Sequence, residues 1–306
     1  MPELPEVEII VRGLKKEILG KKIQNVWTDF PKIIKKPKSF KKFKKEILNK
    51  KIEKIWRRGK NIILKIKKDG SLLPSYLLIH QKLTGHLLIG KWKLSTKVVL
   101  KNKINKKIKT WTPLVKGPLE DSANQFIHLN FWLDDKRMLA LSDLRKFAKV
   151  EILSEKELEE AFNFLGPEPL EKNFTFEKFK NCFKNKKGKI KQVLMNQKII
   201  VGIGNIYSDE ILWKTKIHPF KDVSLLNEKE FKKIYYAMKE ILLKAIKLGG
   251  TSISDFRQIS GEKGYFQKER KAYGREGKKC NHCGKMIKRA KIINRSTYFC
   301  SNCQKL

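Results

Sequence analysis

The residues best suited to chemistry lie at the two ends of the chain. At the start stand Met1, Pro2, Glu3, Leu4, Pro5 and Glu6. An initiator methionine is normally removed ahead of a small second residue, which would leave Pro2 with a secondary amine as its new terminus. An α-amino group titrates near about 7.7 to 8.0, against about 10.4 for lysine, so it is partly neutral and nucleophilic at physiological pH. Attack by such an amine on an aldehydic carbon gives an iminium, whose fixed positive charge is an electron sink suited to elimination. Glu3, immediately adjacent, is a candidate general acid and base, with Glu6 in support. The same residues also suit a helix entry, with proline in the first turn and carboxylates against the dipole.

At the other end, Cys280, Cys283, Cys300 and Cys303 form two Cys-x-x-Cys pairs separated by sixteen residues. That spacing suits four thiolates around one Zn2+, and four thiolates leave no open position for a catalytic water, so the metal is expected to hold a fold. His282 is the alternative ligand. The intervening residues alternate like a hairpin and carry Lys285, Lys288, Arg289, Lys291 and Arg295, placed to face a phosphate backbone. A third candidate is IIVGIGNIYSDEIL, where Gly202 and Gly204 precede a helix beginning near Asn205. Its first N–H groups and dipole could receive a phosphate, or the glycines could simply make a tight turn between helices. With no third glycine and no Gly-Lys-Ser/Thr, a nucleotide cofactor is disfavoured.

These candidates need elements to position them. Val7, Ile10, Val11, Leu14 and Ile18 follow helical spacing up to Gly20. Beyond it the pattern alternates through KIEKIWRRGKNIILKIKK, SYLLIHQKLTGHLLIG and FIHLNFWLDDKRMLALSDL, with DDK as a hairpin turn, so the first half is sheet-rich. The lysine-rich stretch from Lys93 to Asn124 shows no clear period and is expected to be a long surface loop. An acidic segment with Gly166, Pro167 and Pro169 then leads to a helical half, in which a long helix starts from Asn227 as N-cap. The domains are placed at 1–153, 170–270 and 271–306, with 154–169 as linker.

The 306 residues carry 70 Lys and Arg against 31 Asp and Glu, a formal charge of +39. This favours a polyanionic partner, nucleic acid first, although codon bias toward lysine is a competing source of charge. No apolar run is long enough to span a membrane and no secretory leader opens the chain, so a reducing cytoplasm is expected, where paired cysteines bind metal and Cys182 stays free.

Taken together, PELPEVE at the terminus, RRGKNIIL, GIGNIYSDE and the four-cysteine segment resemble the formamidopyrimidine-DNA glycosylase family along the whole chain. The resemblance implies an α+β multidomain protein: an N-terminal β-sandwich with an opening helix, then a helix-two-turn-helix domain ending in a zinc-finger hairpin. It implies a monomer that binds damaged double-stranded DNA, excises oxidised purines and cuts the strand by β,δ-elimination. Carried over by motif, Pro2 is the nucleophile and Glu3 the principal acid and base, joined by Lys60 and Arg295. Glu6, His80, His128, Asn205 and Tyr207 are expected to face the DNA near the damaged nucleotide. Leu83, Arg145, Lys146 and Phe147 would fill or flank the gap left by the extruded base. The stretch GGTSISDFRQISGEKGYF would close over that base. Leu83 stands where the family usually has Met, and Leu144, Lys146 and Ala148 where it has Pro, Arg and Gly; lesion preference is thereby open. The rivals are a glycosylase of the endonuclease VIII type, a non-catalytic zinc-finger protein that binds damaged DNA, and an RNA-binding protein.

Overall fold

The computed structural model describes residues 2–101, 104–253 and 255–306, with backbone alone for 97–101 and 104–109. The N-terminal half runs α1 (Leu4–Ile18), β1 (Ile23–Thr28), β2 (Ile34–Lys36), α2 (Phe40–Ile47), β3 (Lys50–Arg58), β4 (Asn61–Lys68), β5 (Ser75–His80) and β6 (His86–Gly90). It continues through β7 (Trp92–Lys101), β8 (Ile104–Pro113), β9 (Ile127–Leu133), β10 (Met138–Ser142), β11 (Lys149–Leu153) and α3 (Glu155–Phe162). The second half contains α4 (Phe176–Cys182), α5 (Ile190–Leu194), α6 (Asn205–Thr215), α7 (Glu228–Lys247), β12 (Lys288–Ile292) and β13 (Arg295–Phe299).

Two sheets build the first half, a four-stranded one in the order β1-β9-β10-β6 and a five-stranded one in the order β2-β11-β5-β4-β3. Alternation along the strands sends Ile52, Ile55, Ile62, Leu64, Ile66, Leu77 and Ile79 inward to meet Leu87, Leu129, Phe131, Leu139 and Leu141. The outer face of the larger sheet, with Ile63, Tyr76 and Leu78, is covered by Leu158 of α3. The acidic segment at 154–169 therefore contains a helix, capped by the Ser154 hydroxyl and packed on the sheet. Register matters most at one end. Asn61 and Lys149 both pair with His80, while Ser142 pairs with His86 and Ile127. The β3–β4 turn, the β5–β6 loop and the β10–β11 loop consequently all leave the sandwich at the same edge, carrying Lys60, Leu83 and Arg145 to Phe147.

The stretch expected to be a loop from Lys93 is instead a hairpin. β7 and β8 pair antiparallel from Trp92↔Pro113 to Lys101↔Ile104, followed by 3-10 turns at Pro118–Glu120 and Ser122–Gln125. Its root is aromatic: Trp92 and Trp111 are buried against Leu88, Met138 and Ala140 on the outer face of the four-stranded sheet. Frequent lysines mask the alternation of Trp92 with Leu94 that signals this strand. The hairpin tip at 102 and 103 lies outside the described residues.

The second half gathers Phe174, Phe179, Phe183, Ile211, Ile234, Met238 and Leu242 into its own core. α7 begins as anticipated, with Asn227 accepting from the Glu230 N–H and Glu230 accepting from the Asn227 N–H, both at 3.0 Å. α1 joins the two halves: Val7, Ile10, Val11, Leu14 and Ile18 belong to the sandwich core, whereas Leu4 lies in the helical core. Among the described residues no helix is long and apolar enough to cross a membrane.

Candidate active site and DNA interface

Pro2 and Glu3 sit buried where α1 meets α6. The Glu3 carboxylate does not cap its own helix. It accepts from the N–H groups of Gly204 at 2.7 Å, Ile206 at 2.9 Å and Tyr207 at 3.4 Å, so it occupies the N-terminus of α6. This corrects the expectation that the Gly202-x-Gly204 turn offers those donors to a phosphate: a carboxylate of the chain already holds them. Both glycines are required by close approach. A Cβ on Gly204 would lie 2.4 Å from the Glu3 carboxyl carbon, and one on Gly202, whose φ is +90°, would lie 2.6 Å from the Cβ of Leu4.

Glu6, 2% exposed, accepts from the Tyr207 hydroxyl at 2.5 Å, from the Thr251 N–H at 2.8 Å and from the Glu3 N–H at 2.9 Å. Burial pushes its carboxyl up to about 7, against the opposing pull of the Tyr207 hydrogen bond. Tyr207 is fully buried. Its hydroxyl positions Glu6 and its N–H points at the Glu3 carboxylate, so Tyr207 supports both carboxylates of the pocket.

Two adjoining hollows meet around these groups. One, of about 160 Å³, is lined by Pro2, Glu6, Leu83, Thr251, Ile253 and Phe256 among others, and the second, of about 340 Å³, by Glu3, Lys60, Leu83, Asn205, Tyr273 and Arg295. Leu83, Ile206 and Tyr273 border both. Lys60 is 8% exposed and donates to the Ile203 carbonyl at 3.1 Å. Burial lowers its pKa, while Glu3 and Glu6 oppose that shift. Its turn is fixed by Glu168, whose carboxylate accepts from the Gly59 N–H and from Arg57, both at 2.6 Å. His80 accepts the Lys82 N–H on Nδ1 at 3.0 Å, which leaves Nε2 to carry the proton, and burial among Lys82, Lys60 and Lys149 lowers its pKa to about 3. It is a neutral donor.

The structure brings Pro2, Glu3, Glu6, Lys60, Leu83, Asn205 and Arg295 together and keeps the remaining candidates near by or apart. Arg145, Lys146 and Phe147 project from the β10–β11 loop, with the Arg145 guanidinium 4.8 Å above the Phe147 ring and Lys146 5.1 Å from that of Phe30. Beneath them Asp143 is fully buried and accepts from the Ala148 N–H at 2.7 Å, the Arg145 N–H at 3.3 Å and the Thr84 hydroxyl. One carboxylate thus ties the exposed loop to the loop that carries Leu83. His128 stands on β9 with Nδ1 2.8 Å from Asp29 and does not line either hollow.

The four cysteines converge with their sulfur atoms all within 4.8 Å of one another. Sulfurs tetrahedral about zinc at about 2.3 Å lie about 3.8 Å apart, so the cluster fits one structural Zn2+. The indole of Trp213 and the N–H of His282 point at the Cys280 sulfur at 3.4 and 3.5 Å, which favours thiolate. The His282 ring stacks on Trp213 at 4.1 Å, and no ligand role falls to it. The finger is held to the helices by buried charge. Lys191 pairs with Asp209 at 2.8 Å and donates to the Ser296 carbonyl and Thr297 hydroxyl of β13. Asp209 also accepts from the Tyr298 N–H, and Glu210 from the N–H groups of Lys271, Ala272 and Tyr273. Sequence reasoning singled out none of Lys191, Asp209, Glu210, Asp143, Glu168 or Tyr273; only the DE pair within a mainly apolar helix hinted at buried acid.

Three family models match successive parts of the chain. The formamidopyrimidine-DNA glycosylase N-terminal domain matches residues 1–150, the H2TH domain 165–257, and the zinc finger found in FPG and IleRS 277–306. The formamidopyrimidine-DNA glycosylase of Desulforamulus reducens is 34% identical over 100% of this chain and 99% of its own length. MutM in complex with DNA containing carbocyclic 8-oxo-G is 33% identical over the full length of both chains, with a TM-score of 0.81. The Lactococcus lactis Fpg bound to DNA containing an abasic site is also 33% identical, over 99% of this chain and 100% of its own, with a TM-score of 0.81.

Proposed function

Because the chain belongs to the formamidopyrimidine-DNA glycosylase family, we propose that it works as a bifunctional enzyme of base-excision repair with Pro2 as nucleophile and Glu3 as acid and base. It removes oxidised purines from duplex DNA and cleaves the resulting abasic site. The observation that carries the assignment of roles is the placement of Pro2 and Glu3 in adjoining hollows, with the Glu3 carboxylate already oriented by three N–H donors. With Met1 removed, the amine of Pro2 attacks C1′ and the C1′–N bond to the damaged base breaks, its electrons leaving with the base. The attacking amine gives up its proton to the Glu3 carboxylate, which passes it to the ring oxygen as the sugar opens, and the product is an iminium between Pro2 and C1′. That cation acidifies the C2′ hydrogens, so loss of a proton expels the 3′ phosphate. A second elimination expels the 5′ phosphate and leaves a one-nucleotide gap.

Lys60, His80, Asn205 and Arg295 supply the donors that hold the phosphates about the target. Leu83, Arg145 and Phe147 occupy the space vacated by the base, which costs a few kcal/mol to extrude. Domains are assigned as 1–153, 170–270 and 271–306, with 154–169 as the connecting segment. The enzyme acts as a monomer in the cytoplasm, on nucleoid DNA.

Borohydride reduction of the reaction on an 8-oxoguanine:C duplex tests the mechanism, since hydride converts the iminium to a stable amine. With zinc-loaded protein and Met1 removal checked by mass spectrometry, peptide mapping is expected to find the adduct on Pro2. Pro2→Gly and Glu3→Gln should each lose excision. Wild-type excision by both variants would overturn the assignment.

A further inference from the structure

The loop expected to close over the extruded base has two unequal parts. Thr251, Ile253, Asp255 and Phe256 line the smaller hollow. The part that follows is fastened to the N-terminal half. The Ile259 carbonyl accepts from the Ile89 N–H at 2.8 Å, and the Ile259 side chain lies over Gly13 of α1, where a Cβ would come within 2.7 Å of it. Gly261, at φ +88°, approaches Pro118 so closely that a Cβ would meet its backbone at 2.7 Å.

A charged element of this attachment is Arg257 with Asp121. Arg257 is 4% exposed; Nη2 lies 2.8 Å from the Asp121 carboxylate, and Nη1 donates at 2.8 Å to the carbonyl of Phe256. That carbonyl also accepts from the Ser252 hydroxyl at 2.7 Å. Asp121 is itself fixed, because it caps the following turn through the Ala123 N–H at 3.0 Å and lies 3.6 Å from Lys263. Burial works to raise its pKa, yet Arg257 and the Ala123 N–H hold it below the usual carboxylate range, so Asp121 is ionised at neutral pH. Asp121 belongs to the segment that follows the β7–β8 hairpin, so the N-terminal half reaches across to grip the backbone of a residue in the pocket wall.

We propose that Asp121 is a positioning residue for recognition of the damaged base: through Arg257 it fixes the Phe256 carbonyl and, with it, the wall that encloses the extruded base. The proposal rests on the glycosylase reading above. It separates the two activities, because excision needs a base enclosed by that wall whereas cleavage of a preformed abasic site encloses none.

The test compares kcat/KM for 8-oxoguanine excision with that for cleavage of a preformed abasic duplex, in wild type, Asp121→Asn, Arg257→Lys and Asp121→Glu. Displacing a substrate-positioning wall by an ångström costs about ten- to a hundredfold. Asp121→Asn should lose excision to that extent and keep abasic-site cleavage. Arg257→Lys keeps the charge but gives up the second grip on the Phe256 carbonyl, so it should show the same selective loss. Asp121→Glu should recover part of the excision rate. An equal fall in both activities for both Asp121→Asn and Arg257→Lys would reduce the pair to a structural role and overturn the proposal, as would no change in either. Wild-type protein inert on both duplexes would instead overturn the glycosylase reading, and this proposal with it.

Discussion

At the scale of single residues, Pro2 and Glu3 are the pair proposed for the chemistry, and the carboxylates of Glu3 and Glu6 are held by groups from the far half of the chain. A proline behind the initiator methionine, with a carboxylate beside it, announces itself by type and adjacency. What Glu3 is bound to does not, because its donors are the N–H groups of Gly204, Ile206 and Tyr207. The same distance hides the environment of Glu6, which lies among Tyr207 and Thr251. That environment has a measurable consequence. A carboxyl raised from an ordinary 4.5 to about 7 lends the fold stability that is fully present below about 4.5 and lost as pH rises through 7. Glu6→Gln removes the titration, so its stability relative to wild type should improve by about 3 kcal/mol between pH 4.5 and 8. Urea unfolding across that range would measure it, and a pH-independent difference would count against a raised Glu6 pKa.

At the scale of elements, strands and helices with clean periods were recognisable: the β9–β10 hairpin with its DDK turn, the Asn227 cap of α7 and the finger hairpin all stand where the pattern puts them. The β7–β8 hairpin was hidden because lysines interrupt its alternation, and its fold is decided by Trp92 and Trp111 docking on a sheet face that sequence alone does not display. α6 was found but its character was not, since Ser208, Asp209 and Glu210 are all buried. Its ion pair with Lys191 of α5 also reaches β13. Asp209→Ala would strand a buried ammonium and should cost about 3–5 kcal/mol, while exchanging both partners for apolar residues of similar size should restore much of it. Urea midpoints for the single and double variants would separate these outcomes; equal losses would mean that the helix needs the charges themselves.

At the scale of the whole molecule, the zinc cluster, the buried charges and α1 make one continuous structure. The finger presents Arg295 to the larger hollow, and its strand β13 rests on Lys191 and Asp209. Stripping the metal should therefore weaken DNA binding and lower the thermal midpoint as well. About one zinc per chain is expected in protein purified without added metal. Metal-free protein with unaltered melting and DNA affinity would contradict that role. Charge and motif order made the general plan readable in advance; the seam between the halves was not, because it consists of contacts between residues some two hundred positions apart in the chain. Glu3 lies on that seam. Its orientation comes from N–H groups at the start of α6, so the carboxylate proposed as acid is aimed by residues from the other side of the seam. On that reading, strand cutting is a property of the joined halves, and neither half carries the oriented pair by itself.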